Sequence, residues 1–287
     1  MHDKTVFITG GTTGVGKGAA ERLLILGARV VLLARNVPKA EAVCAEWMAR
    51  YPGSRVAVIP CDLASLESVT ETVRRIQEKF IRVDVLINAA GRRIREKALS
   101  VDGIDLSFAT HHLGHFALTT ALLDFMPPGA RIVNVSSETH KFAWSFEDPL
   151  FEIRRYTPWR ALLTARLCAL LFTASLAETL RDRNIRAFAL HGGLVRSDIA
   201  HDGLDQTKGT FRLLRLFGID PTVGATTAVF LASSPEVEGQ SGRYFKARRA
   251  VAASELARDK TVAQKLWTRS MQLLDKFKRP PRELPAG

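Results

Sequence analysis

Cysteine is scarce in this chain, with three residues, Cys44, Cys61 and Cys168, among 287. Their wide spacing matches neither a metal cluster nor a disulfide framework, so three ordinary buried thiols and no metal site are expected. No linker rich in Pro, Gly or Ser is present, and no segment repeats another. With 46% hydrophobic residues, the length suits one large domain over residues 1–278 better than two small ones. No apolar run is read as approaching the roughly 20 residues that span a bilayer. The first strand pattern starts almost at Met1 and leaves no room for a signal peptide, so a cytoplasmic protein with no membrane association is expected. Acidic residues are the minority, 29 against 41 Lys and Arg, for a net charge of +12. Such an excess suits nucleic acid, anionic lipid or an anionic small ligand. The basic residues are dispersed, in small groups such as Arg92, Arg93, Arg95 and Lys97, and no recognition-helix, zinc-finger or RNA-binding pattern accompanies them. Nucleic acid is therefore set aside in favour of a solvated surface and a phosphorylated cofactor.

What is present is concentrated first in Lys4 to Arg35. Val6, Phe7 and Ile8 form one β-branched and aromatic run and Val30 to Leu33 a second, as for strands buried on both faces. Gly10, Gly11, Gly14 and Gly16 lie between them, followed by an amphipathic segment ending at Gly27, a helix C-cap residue. Glycines at a strand-to-helix turn admit a diphosphate close to the backbone, and the N–H groups and dipole of the helix favour its charge. After Leu33 the chain reads Ala34-Arg35-Asn36, with Lys39 following. An acidic residue there would bind the adenosine ribose 2′-hydroxyl, whereas Arg35 accommodates a 2′-phosphate, so NADPH is expected over NADH.

Further on, a helix from Pro38 to Tyr51, a strand from Arg55 to Pro60, a helix through Phe80 and a strand from Val83 to Ile87 are expected. Strands alternating with helices define an α/β protein with a Rossmann-type, doubly wound parallel sheet and helices on both faces. Ligands of such sheets bind beyond the carboxyl ends of the strands, where Asp62, Asn88 and Gly91 fall.

Three motifs in this order resemble the short-chain dehydrogenase/reductase family. Thr9-Gly10-Gly11-Thr12-Thr13-Gly14-Val15-Gly16 is similar to its TGxxxGxG cofactor motif, Asp62-Leu63 to its adenine-contacting pair, and Asn88-Ala89-Ala90-Gly91 to its NAG segment. His112 to Phe116, Ile132 to Ser137 and the run from Arg243 to Trp267 resemble the retinol-dehydrogenase-like branch. The resemblance covers roughly residues 4 to 277. It implies cofactor contacts at Gly10, Thr12, Thr13, Gly14, Val15, Arg35, Asp62, Leu63, Asn88, Ala89 and Gly91. It adds Gly193 and Val195 from the segment after His191, which resembles HPGxVxT, and residues 201 to 218 match the relatives' variable substrate loop.

The same resemblance implies a catalytic Tyr, a Lys four residues later, a Ser and an Asn. Ser137 matches the Ser. In the register of the pattern AYxxSKLAxxLFT, Leu162 stands at the Tyr position and Arg166 at the Lys position, and His111 replaces the Asn. Tyr156 and Arg160 preserve a Tyr-x-x-x-basic spacing, but Pro158 between them disfavours one continuous helix. Arg166 cannot give up a proton, yet it can bind the cofactor ribose and lend positive charge beside an oxyanion. His111 and His140 are candidate substitute acids, whereas His112, His115 and His191 fall where relatives already carry His. A general acid contributes about 10²–10⁴-fold, a deficit that shrinks when the substrate's own phenol or enol hydrogen-bonds its carbonyl.

Between Ser137 and Leu162 lie Phe142, Trp144, Phe146, Phe151, Tyr156 and Trp159, which suit a flat polycyclic ligand. Phe142, Trp144, Phe146 and Trp159 are the expected pocket. The expectation is an NADPH-dependent ketoreductase with Ser137 and Arg166 as its catalytic residues, acting on an aromatic polycyclic carbonyl as a monomer or homodimer. It resembles the divergent ketoreductases that tailor angucyclinone-type aromatic polyketides in antibiotic pathways. The rivals are an NADP-binding pseudoenzyme and a non-redox cyclase or isomerase. Residues 279–287 are expected to form a disordered tail.

Overall fold

The computed structural model describes residues 1–91, 94–143, 145–153, 155–192 and 221–278. The core is a sheet of eight strands in the order β3-β2-β1-β4-β5-β6-β7-β8. They are β1 Thr5–Thr9, β2 Arg29–Ala34, β3 Val56–Pro60, β4 Val85–Asn88, β5 Arg131–Ser136, β6 Arg186–His191, β7 Tyr244–Lys246 and β8 Arg249–Val251. All neighbours pair in parallel except β7 and β8, which form an antiparallel hairpin. The strand order reverses between β1 and β4, so a crevice opens there beyond the carboxyl ends, the ligand position in a doubly wound sheet. Val6, Phe7 and Ile8 are fully buried, as are Val30, Val31 and Leu32, in keeping with strands covered by helices on both faces.

Local chemistry sets where the helices begin. Helix α1 spans Gly14–Ile25, α2 Val37–Arg50 and α3 Leu66–Lys79. Asn36 caps α2 by accepting the Lys39 N–H, and Ser65 caps α3 by accepting the Ser68 N–H, each satisfying a donor that the helix itself cannot. Thr157 caps α6, Pro158–Thr179, through the Arg160 N–H, with Pro158 at its first turn. This is where proline fits a helix and where it ends the extended chain before it. The remaining helices are α4 Leu106–Phe108, α5 Gly114–Leu122, α7 Pro221–Ser233, α8 Glu255–Arg258 and α9 Lys260–Lys278. Between α4 and α5 the five residues Ala109–Leu113 form a π-helical turn.

One expectation is corrected. Helix α6 is long and apolar enough to cross a membrane by length and composition. Here it is a core helix, with Leu167, Cys168, Leu171 and Leu176 fully buried. Its outer side is covered by α9, where Trp267 packs edge-on to Phe116 at 4.9 Å and tilted on Phe172 at 6.2 Å. His112 in the π turn joins the same contact by a 2.7 Å hydrogen bond to Ser270. The expected tail, 279–287, lies outside the described residues. All three cysteines are buried and free, and burial first of all raises Cys44 and Cys61 to about 11. Among the described residues no group of His, Cys, Asp and Glu could hold a metal.

Candidate active site

The glycine loop closes on itself through two close approaches. Gly10 has φ +69°, and a Cβ there would stand 2.7 Å from the backbone of Ala90. A Cβ on Gly16 would stand 2.3 Å from the Gly10 carbonyl oxygen. A side chain at Gly10 would push the loop off the segment after β4, and one at Gly16 would push it off the helix. Thr13, the N-cap of α1, makes no side-chain cap hydrogen bond and no acidic residue lies in the first turn. The first N–H groups of α1 are therefore not capped by the chain's own Thr13 side chain, and the helix end suits an anion. The residues fit the diphosphate of a dinucleotide, with Thr12, Gly14 and Val15 around this turn.

The second expected segment is held in place by a residue that spacing alone did not single out. Thr9 accepts the backbone N–H groups of Ala89 (3.0 Å) and Ala90 (3.1 Å) with its hydroxyl oxygen. Its hydroxyl also bonds His115 Nε2 at 2.9 Å. Asn88 has both amide hydrogens committed, to Thr119 Oγ1 (3.0 Å) and to Asn134 Oδ1 (2.8 Å). Asn134 in turn donates to Thr173 on α6 at 2.9 Å. The Asn88 side chain is thus a tie between β4, β5, α5 and α6 at the carboxyl end of β4. The sequence signal for this chain is faint: polar Thr and Asn residues inside apolar runs. Asp62 accepts the Ala64 N–H at 3.0 Å at the end of β3, next to buried Leu63. Arg35 and Lys39 are exposed after β2.

At the end of β5, buried Ser137 accepts the Thr139 N–H at 3.3 Å. Its hydroxyl hydrogen remains available to donate to a substrate oxygen. Leu162 and Arg166 lie one turn apart on α6, both half-buried. Arg166 donates to the Val135 carbonyl at 3.4 Å, and its own carbonyl accepts the Ser136 hydroxyl at 2.8 Å. Arg166, His111, His115, Asn88 and Asn134 line one small cavity of about 20 Å³. No tyrosine occurs along α6.

Tyr156 precedes the N-cap of α6 and gives its hydroxyl hydrogen to the Ile94 carbonyl at 2.8 Å. Its ring packs edge-on to Phe151 at 5.1 Å. Phe151 has φ +55°, rare for a bulky residue, and its carbonyl accepts Lys97 Nζ at 2.6 Å. Tyr156 and Lys97 thus clamp the loop after Ser137 onto the segment after β4. Tyr156→Phe is expected to cost about 1 kcal/mol of stability, the net worth of one hydrogen bond, with turnover within twofold of wild type. A loss of turnover beyond tenfold at unchanged melting temperature would make Tyr156 the proton donor instead.

The expected pocket aromatics differ in exposure. Phe142 is 62% exposed and Trp159 48% exposed, and Phe146 packs against the core beneath the sheet. Phe151 rather than these residues lines the small cavity beside Arg160, Leu163 and Thr164. The loop's aromatics are thus divided between core packing and surface, because burying Phe146 and Phe151 is what fastens the loop down. Trp144, Gly193, Val195 and residues 201–218 lie outside the described residues.

The histidines separate by their partners. Burial lowers His112 to about 3, with His115 adding to the shift. Burial lowers His115 to about 4, against its bond to the His111 carbonyl. His191 is likewise pushed down by burial to about 4 while its Nδ1 accepts the Glu138 N–H. His140 donates Nδ1–H to the Ser137 carbonyl (2.7 Å) and accepts the Ser254 N–H at Nε2 (3.1 Å). With both nitrogens bonded in the neutral tautomer and its pKa lowered chiefly by burial, His140 is a loop tie and not the expected substitute acid. His111 stands apart. Its Nδ1 bonds the Ser107 carbonyl at 2.9 Å, and its Cδ2–Nε2 edge lies against Gly91.

A glycine turn, an uncapped helix end at the topological switch point and a Ser at the end of β5 define a dinucleotide-binding α/β oxidoreductase. The short chain dehydrogenase model matches residues 4–149, and the chain belongs to that family. Human retinol dehydrogenase 14 is 37% identical over 286 residues, covering 93% of this chain and 85% of the relative. A crystal structure of an uncharacterized Mycobacterium Paratuberculosis protein is 32% identical with a TM-score of 0.75, covering 96% of this chain and 94% of the other. The fold is shared with a Burkholderia cenocepacia short chain dehydrogenase solved with NADP, at 23% identity and a TM-score of 0.69, covering 86% and 99%.

Proposed function

We propose that this chain uses NADPH to reduce a carbonyl on a flat aromatic, phenol- or quinone-bearing substrate of the polyketide kind, without a tyrosine acid. One observation carries the reading: Leu162 stands one turn before Arg166 on a helix with no tyrosine, while the glycine turn and Ser137 are kept. Arg35, exposed at the end of β2 with Lys39 nearby, supports a 2′-phosphate, and a fold neighbour binds NADP.

Bound NADPH supplies the hydride. Ser137 donates its hydroxyl hydrogen to the carbonyl oxygen and so orients it. Arg166 keeps a fixed positive charge beside the cavity it shares with Asn88 and Asn134, at the position where the family's Lys meets the ribose, and stabilises charge that builds on the oxygen. The proton comes from water or from the substrate's own hydroxyl, since Leu162 has none to give. An isolated ketone would then react slowly, and a carbonyl already hydrogen-bonded to a neighbouring phenol faster.

The test is NADPH oxidation against hydroxynaphthalenones and quinones, each paired with its O-methyl ether. Turnover on the free phenols that drops at least tenfold on methylation supports the reading. Equal rates remove the substrate's role. NADPH binding with no oxidation across the panel would leave a nucleotide-binding protein, or, where substrate mass changes, a cyclase or isomerase. Arg35→Asp is expected to weaken NADPH at least tenfold in a fluorescence titration, and equal affinity would count against the 2′-phosphate assignment.

A further inference from the structure

A large hollow lies away from the cofactor turn. It holds about 640 Å³ between α6, the β7–β8 hairpin and the start of α9, within the range of small-molecule sites, about 300–1,000 Å³. Tyr244, which lines it, opens β7 and pairs with Ala189 within β6. The hollow therefore sits at the amino end of β7, whereas Ser137 and the glycine turn lie beyond the carboxyl ends of their strands. We propose that it binds a medium-chain carboxylate, an apolar chain with an anionic head, as a second ligand site separate from the cofactor site. Ser137, Leu162 and Arg166 do not line the hollow, so the proposal goes beyond the reductase reading and does not depend on it.

Shape comes first. The floor is buried and built largely from short side chains, Ala189, Ala257 and Ala263, beside Leu170 and Tyr244. Leu170, Ala174 and Glu178 line it at four-residue spacing, so one stripe of α6 runs along the hollow for about 12 Å at about 1.5 Å per residue. That stripe begins apolar and ends charged. A ligand of the same polarity would lay its tail over the alanine floor, where displacing water is favourable, and leave its head at the Glu178 end.

Charge then identifies the head. A second hollow of about 590 Å³ shares Ala174, Glu178, Gly242, Arg243 and Lys260 with the first and adds Arg181 and Arg186, so the charged end opens onto a basic mouth. The acidic residues there are already engaged. Glu178 pairs with Lys260 at 3.3 Å, and Asp259 accepts the Thr261 and Val262 N–H groups at 2.8 and 3.2 Å at the start of α9. Arg243 and Arg258 are exposed on the rim of the first hollow and have no ion-pair partner among the described residues. A guanidinium takes a carboxylate through two parallel hydrogen bonds, and an ammonium head would meet the same two arginines as repulsion.

Calorimetric titration of the full chain with decanoate, decanol, decylamine and acetate tests the proposal, with no turnover required. One decanoate site is expected, at least tenfold tighter than decanol, with no binding of decylamine or acetate. Arg243→Gln combined with Arg258→Gln lowers decanoate affinity at least tenfold and leaves decanol unchanged. Ala174→Leu, which fills the junction of the two hollows, lowers both at least tenfold. Wild-type NADPH affinity and melting temperature in each variant keep a lost site apart from a lost fold. Should Ala174→Leu not fold, the arginine variant, altered only at exposed side chains, carries the test. Equal affinity for decanoate and decanol, many weak decanoate sites in place of one, or wild-type decanoate affinity in either folded variant overturns the proposal. Whether wild type oxidises NADPH bears on the reductase reading alone.

Discussion

Gly16→Ala is expected to weaken NADPH binding about 100-fold, equivalent to about 2.8 kcal/mol at 1.4 kcal/mol per tenfold. The added methyl would stand 2.3 Å from the Gly10 carbonyl oxygen and 2.8 Å from its carbon. Both are backbone atoms, so no side chain can swing aside. Either the turn lifts away from α1 or the first turn of α1 unwinds, and each outcome moves the N–H groups that face the diphosphate. Overpacking of this kind costs about 1–3 kcal/mol, a fraction of the 5–15 kcal/mol that holds a domain together, so the variant should fold. The measurement is a fluorescence titration with NADPH beside a thermal melt. Binding within threefold of wild type in the folded variant would show that the close approach of turn and helix is not what seats the nucleotide.

Asn134→Leu is expected to remove about 3–5 kcal/mol of stability. Asn134 is 2% exposed and sits in the middle of the line Thr119–Asn88–Asn134–Thr173. Leucine would deprive Asn88 Nδ2 of its acceptor and Thr173 of a donor, and each buried polar group left unsatisfied costs about 1–3 kcal/mol. The bonds made at 2.8 and 2.9 Å are short enough to carry that weight. The change should be read as a drop in urea midpoint at constant slope. A double-mutant cycle with Asn88→Leu isolates the shared bond, with about 1–3 kcal/mol of coupling expected for neighbours in one network. Additivity within a few tenths of a kcal/mol would mean that the two side chains act separately.

Much of the scaffold could be read from the chain. Buried β-branched runs, glycine turns and capping residues such as Asn36 and Ser65 act within a few positions of themselves, so their consequences are written locally. The placing of Tyr156 outside α6 is local too, because Pro158 sits two residues later and opens α6 rather than continuing a helix through it. What spacing could not supply were partners brought together by the sheet. Thr9 meets Ala89 and Ala90 only because β1 and β4 are neighbours, and Asn134 meets Thr173 only because α6 lies over β5. The π-helical turn carries no periodic signal that separates it from an α-helix. Composition likewise cannot say that Phe146 and Phe151 face inward while Phe142 and Trp159 face water.

The covering of α6 by α9 bears on how the protein is made. Roughly 80 residues separate the end of one helix from the start of the other, a delay of roughly ten seconds at ribosomal rates of 5–20 residues per second. Throughout that interval the nascent chain carries an uncovered apolar segment of 22 residues, with the dimensions of a membrane anchor. Trp267 and Ser270 arrive last and close it. A ribosome stalled shortly before Trp267 would therefore hold a chain whose α6 lacks the cover that α9 gives it in the complete fold.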